Sequence, residues 1–200
     1  MADWDGDWRT YTPPSISVGQ LHDLGFPDRL LRSSKAQCVG SHAWEAAEDW
    51  WNNLAEHLTV PRGLTIWENE PKAMATLCVM ALRMSFWGGL PVARGVRVSP
   101  AFYVESMDLG KDAVLEEARN AGTLLVAGVG TPLFGPDRTL EILSSLAQVR
   151  QRMGCLTFWH LSPAATPRSA EICDRLVKVL GDTTVVVGKA STFAKISESP

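Results

Sequence analysis

Three features of the sequence predict an α/β fold with a largely parallel, five-stranded sheet covered by helices on both faces. Short apolar segments alternate with amphipathic helical segments five times. The connections between them are short. The third apolar segment, Thr123-Leu-Leu-Val-Ala127, is hydrophobic throughout, as a strand buried on both faces should be.

A helix comes before the alternation. Ser41 reads as its N-cap, and Trp44, Ala47, Trp51, Leu54, Ala55 and Leu58 recur at three- and four-residue steps until Pro61 and Gly63 end it. The first strand is expected over 64–67 and a strong helix over 72–87, stopped by Gly88-Gly89. Later strands are expected over 101–104, 123–127, 155–159 and 183–187. The helices between them are expected over 111–120, 137–153 and 168–180.

The chain has 200 residues, 46% hydrophobic and 20% charged, an ordinary globular balance. A net charge of -3 gives no overall basic footprint for nucleic acid, although a local patch is compatible with it. Cys38, Cys78, Cys155 and Cys173 form no C-x-x-C pair, which argues against zinc; Cys78 and Cys155 lie in apolar runs and read as small buried hydrophobes. The acidic, polar start MADWDGDWRT is no signal peptide, and no apolar run reaches the ~18 residues of a membrane span. The expectation is a reduced, cytoplasmic protein that does not touch the membrane.

Ligands of parallel α/β sheets bind beyond the carboxyl ends of the strands. A phosphate-binding loop there needs glycines to expose backbone N–H groups, a lysine for charge and a Ser/Thr for magnesium. After the first strand the sequence instead reads Glu68-Asn69-Glu70-Pro71-Lys72-Ala73-Met74-Ala75. It has no glycine, Pro71 contributes no N–H, and Glu68 and Glu70 would repel a phosphate. The third strand leads into Gly128-Val129-Gly130 with no carboxylate to hold magnesium. His160 follows Phe158-Trp159 near the end of the fourth strand and is a candidate contact, whereas His57 reads as a surface residue on the first helix. Glu105 and Asp108 follow the second strand and read as a solvated loop. Arg94 and Arg97, expected in a loop before the second strand, with Phe102 or Tyr103 offer charge and stacking for single-stranded nucleic acid. Arg150 and Arg152 end a helix and complement its dipole. Of the eight tryptophans, Trp44, Trp51 and Trp67 read as core. Trp4, Trp8 and one of Trp50 or Trp87 read as interface anchors.

The order and spacing of these segments resemble the DnaC/IstB-type helicase-loader ATPases of the AAA+ group, over roughly residues 24–192. Gly25-Phe26-Pro27 is similar to that family's lead-in "G-[IV]-P", and Gly63-Leu-Thr-Ile-Trp67 to the strand before its Walker A loop. Counted without a gap, Met74 and Ala75 fall on the Walker lysine and threonine. AGTLLVAGVGT, residues 121–131, is similar to "ADLLVLDDLGT", with Ala127 and Gly128 on the two aspartates. GCLTFWHLSP, residues 154–163, resembles the sensor segment, with His160 on its asparagine; Asp174-Arg175-Leu176 resembles the "S-R-L" that carries an arginine finger.

The resemblance implies a RecA/AAA+-like P-loop NTPase core over 63–192, a helical lead-in over 24–62, and tails at 1–23 and 193–200. It also implies that the family's separate helicase-binding domain is missing, since only a short tail precedes residue 24. The family loads a replicative helicase onto single-stranded DNA or assists a transposase. Here every nucleotide-handling position except Arg175 is replaced, so the expectation is a pseudo-ATPase without cofactor. Its expected role is a phage or mobile-element accessory protein that binds a replicative helicase or another replication ATPase, with single-stranded DNA and self-association as further partners. The other readings are a single-stranded nucleic-acid module, a degenerate RecA-like regulator of the SulA or ImuA type, and an enzyme using Glu105, Asp108 and His160.

Overall fold

The computed structural model describes residues 23, 42–60, 62–67, 73, 76, 77, 80, 81, 96–100, 113–130, 136–162 and 167–188. Two helices open this part, α1 (His42–Asn52) and α2 (Leu54–Thr59). Five strands follow: β1 (Gly63–Trp67), β2 (Val96–Pro100), β3 (Thr123–Val129), β4 (Leu156–Leu161) and β5 (Thr184–Val187). Helices α3 (Ala113–Asn120), α4 (Pro136–Arg152) and α5 (Pro167–Leu180) connect β2 to β3, β3 to β4 and β4 to β5. Between β1 and β2, residues Ala73, Thr76, Leu77, Met80 and Ala81 are helical and buried.

The strands form one sheet in the order β2-β3-β4-β1-β5, and every pairing is parallel. From β1 the chain crosses to the far edge at β2, then steps back through β3 and β4 and passes β1 to reach β5. Right-handed crossovers therefore put the β1–β2 helix on one face and α3, α4 and α5 on the other. Side chains alternate along each strand, and the packing follows that division. Leu124, Val126, Trp159 and Leu161 join Leu143 and Leu146 of α4 and Leu176 of α5 in one cluster. On the opposite face Phe158 meets the edge of Trp50 from α1, with ring centroids 5.2 Å apart.

Arg150, near the end of α4, is fully buried. Its Nη1 donates to the carbonyls of Ala118 (2.6 Å), Arg119 (3.1 Å) and Ala121 (2.7 Å). Its Nη2 donates to the Leu156 carbonyl, and its Nε to Thr157 Oγ1 at 2.8 Å. The last carbonyls of α3 have no partners inside their own helix, so Arg150 completes the neighbouring helix rather than its own. Burial lowers its pKa to about 10, which leaves it charged at neutral pH.

Several sequence expectations are corrected. The second strand is β2 at Val96–Pro100, so Arg97 lies within it and not in a preceding loop; residues 101–104 lie outside the described residues. Its V-R-V-S alternation suits an edge strand, and an edge also accommodates Pro100. The helix expected through Leu58 is interrupted at Asn53, whose Nδ2 donates to the Asp49 carbonyl at 2.9 Å, an alternative partner that competes with helix continuation. Trp50, considered as an interface anchor, is 1% exposed and belongs to the core. Cys155 and Cys173 are free and buried, and burial, aided by the Asp174 charge, pushes the Cys173 thiol up to about 12. Among the described residues no helix is long and apolar enough to cross a membrane.

His57 is also buried rather than on the surface. Its ring lies flat on Trp50, 5.5 Å between centroids and 3° from parallel. Burial holds its pKa below the usual 6.5; Arg62 reinforces the shift, while Glu56 and Asp49 oppose it. With the folded-state pKa below the unfolded one, the unfolded chain binds more protons as acid is added. The His57 contribution is therefore present above about pH 6.5 and is lost as pH falls through the folded-state value. Thermal melts from pH 7.5 to 5 should fall more steeply for the unmodified chain than for His57→Gln; parallel profiles would contradict this.

Candidate functional site

β1 lies between β4 and β5, where the chain reverses direction across the sheet, so the crevice beyond its carboxyl end is the expected ligand position. Trp67 ends β1 and pairs in register with Leu161, and Ile66 pairs with His160. β3 ends one strand further on, beyond β4. The strand ends thus bring Ala127, Gly128 and His160 into one region. Glu68, Pro71, Lys72, Met74 and Ala75 lie outside the described residues, although Ala73 among them is helical and buried.

The end of β3 is irregular. Val126 pairs with Trp159 and Val129 with Leu161, so three steps along β3 match two along β4. The extra residue makes a bulge at Ala127-Gly128. Gly128 has φ +73°, a backbone conformation that side chains rarely adopt, and its Cα faces open space. Beyond the bulge the strand is tied down: Ser162 N donates to the Val129 carbonyl at 2.7 Å, and Cys173 Sγ contacts the same carbonyl at 3.5 Å. Ser169 Oγ donates to the Gly130 carbonyl. The amino-terminal half of α5 is therefore fixed to the end of β3.

His160 is the penultimate residue of β4, near the strand's carboxyl end, and it is 7% exposed. Among the described residues, the region around Trp67, Ala127–Val129 and His160–Ser162 offers apolar side chains, backbone groups, one imidazole and one hydroxyl, but no carboxylate. Among the described residues no group of three or more His, Cys, Asp or Glu is placed to hold a metal ion.

Arg175 is paired with carboxylates of the α4–α5 layer. On α5 it is 42% exposed and forms an ion pair with Asp137 Oδ1 of α4 at 2.7 Å. Glu171, one turn earlier, lies 3.6 Å away. The hydrogen bond to Asp137, helped by both carboxylates, raises its pKa. The sequence does not single out Asp137, because it is 38 residues away and belongs to another helix. Arg97 occupies β2 opposite Leu124. Trp4, Trp8, Arg94, Phe102, Tyr103, Glu105 and Asp108 lie outside the described residues.

No family model matches the chain, and no curated protein matches its sequence. The crystal structure of DnaI matches with a TM-score of 0.52 at 13% identity, covering 82% of this chain and 95% of that one. The chain has the fold of DnaI. A candidate primosome component from Streptococcus pyogenes serotype M3 also aligns, with a TM-score of 0.45 at 14% identity over 76% of this chain and 82% of that one. The resemblance read from the sequence holds at the level of fold, a parallel α/β sheet core like that of DnaI. The bulge falls at Ala127-Gly128, the two positions that the sequence resemblance aligns with paired acids.

Proposed function

We propose that this chain is a non-catalytic accessory protein of DNA replication, a helicase-loader-like scaffold that binds a replicative helicase or a related ATPase. The supporting observation is the end of β3, within a fold like that of DnaI. It presents a methyl group and a hydrogen where a magnesium site would need carboxylates. These residues do not suit magnesium or a metal-bound nucleotide. The left-handed backbone at Gly128 also means that acids restored there would begin from a strained main chain. The proposal places the protein in the cytoplasm and its gene on a phage or another mobile element.

In this reading recognition rests on surface groups such as Arg175. Its ion pairs with Asp137 and Glu171 hold the half-exposed guanidinium at the surface of the α4–α5 layer, where another molecule can reach it. Exposed ion pairs contribute little to folding. Arg175→Ala should therefore leave the melting temperature nearly unchanged while weakening capture of the partner ATPase. Equal capture by both proteins would remove Arg175 from the interface.

The test of the proposal is co-elution of the purified chain with a replicative helicase, with and without ATP. The expected result is a complex that does not depend on nucleotide. Measurable ATP turnover by this chain alone would overturn the non-catalytic reading. In thermal-shift measurements with ATP and magnesium, a ligand at 100 times its Kd adds about 2.7 kcal/mol. No shift is expected here.

A further inference from the structure

We propose that the turn joining α2 to β1 is a carboxylate-binding site, in which an acidic side chain is held between Arg62 Nε and His57 Nδ1. Both atoms are buried, and neither has a hydrogen-bond partner. Buried polar groups are nearly always satisfied, so two in one short turn point to a missing acceptor. Arg62 Nε–H can only donate, and His57 Nδ1 donates in one neutral tautomer and when protonated. A carboxylate has two oxygens and can accept from both.

The turn that carries these atoms is firmly built. Arg62 N donates to the His57 carbonyl at 2.9 Å, and Trp50 Nε1 donates to the Arg62 carbonyl at 3.2 Å. The Trp50 ring supports the imidazole from below. Thr59 and Val60, which lie between the two residues in sequence, are exposed, with Val60 at 50%, so the turn carries an apolar surface contact beside the buried pair. Asp49 and Glu56 act on His57 only through their charge and bond to neither atom. The ligand chemistry is thus an acidic residue with an apolar neighbour. It has two sources: a partner protein, or residues 1–8 of this chain, MADWDGDW, which hold three aspartates, two tryptophans and no Lys or Arg.

The experiment follows the His57 imidazole by NMR through a pH titration of the full chain in acetate, with chloride at equal ionic strength as the reference. A carboxylate beside an imidazole raises its pKa by about one unit or more. A saturable rise in acetate that Arg62→Met abolishes, or Arg62→Lys if the methionine variant does not fold, supports a site open to outside carboxylates. Acetate acting only on the Asp3→Asn, Asp5→Asn, Asp7→Asn variant also supports the site and assigns its occupant to the chain itself. No response in either protein, or the same response in chloride, overturns the proposal.

Discussion

Replacing Arg150 with methionine should cost about 3–5 kcal/mol of folding stability, a loss in the range for breaking buried charged networks. The size follows from what is left behind. Methionine fills much of the volume but donates nothing, so the carbonyls of Ala118, Arg119, Ala121 and Leu156 and the hydroxyl of Thr157 lose their donor together. Each buried acceptor without a partner costs roughly 1–3 kcal/mol, and shared relaxation keeps the total below the sum. Arg150→Lys should recover part of the loss, because an ammonium reaches fewer of the five acceptors than a planar guanidinium. Urea unfolding gives the answer; a loss below about 1 kcal/mol for the methionine variant would show that the arginine is dispensable.

The second large effect is expected at Gly63. A Cβ built there would overlap the Thr157 carbonyl oxygen, a backbone atom of the neighbouring strand. Backbone cannot move aside as a side-chain tip can, so Gly63→Ala must push β1 away from β4. Overpacking usually costs about 1–3 kcal/mol, and a main-chain clash inside the sheet belongs at or beyond the upper end. Gly128→Ala is the control. Its Cβ meets nothing within 4 Å, so only the strain of its positive φ remains, about 1–2 kcal/mol. Equal losses for the two variants would contradict the packing argument.

The sequence revealed the regular elements best where their periodicity was strong. The all-apolar β3 and the long α4 and α5 lie within two residues of expectation at each end. β2 was misplaced because an edge strand keeps polar residues, and the more hydrophobic 101–104 looked the better strand. At the strand ends, that Ala127 and Gly128 carry no carboxylate could be read directly. The bulge could not, because it depends on register with β4. The Arg150 network was hidden for a similar reason, since three of its acceptors lie 29 to 32 residues away. His57 was taken for a surface residue because its partner Trp50 sits seven positions earlier, across the break at Asn53.

The place of β1 inside the sheet, between β4 and β5, has a consequence during synthesis. Its two neighbours, β4 and β5, are both made much later: β1 ends at Trp67 and β4 begins at Leu156, roughly 90 residues on. At about 5–20 residues per second, a ribosome takes roughly 5–20 seconds to supply the first strand that can cover it. For that interval Gly63-Leu-Thr-Ile-Trp67 is a nascent apolar segment with neither edge paired. Nascent chains stalled before residue 156 should therefore recruit chaperones or aggregate, whereas chains stalled after β5 has left the exit tunnel should not.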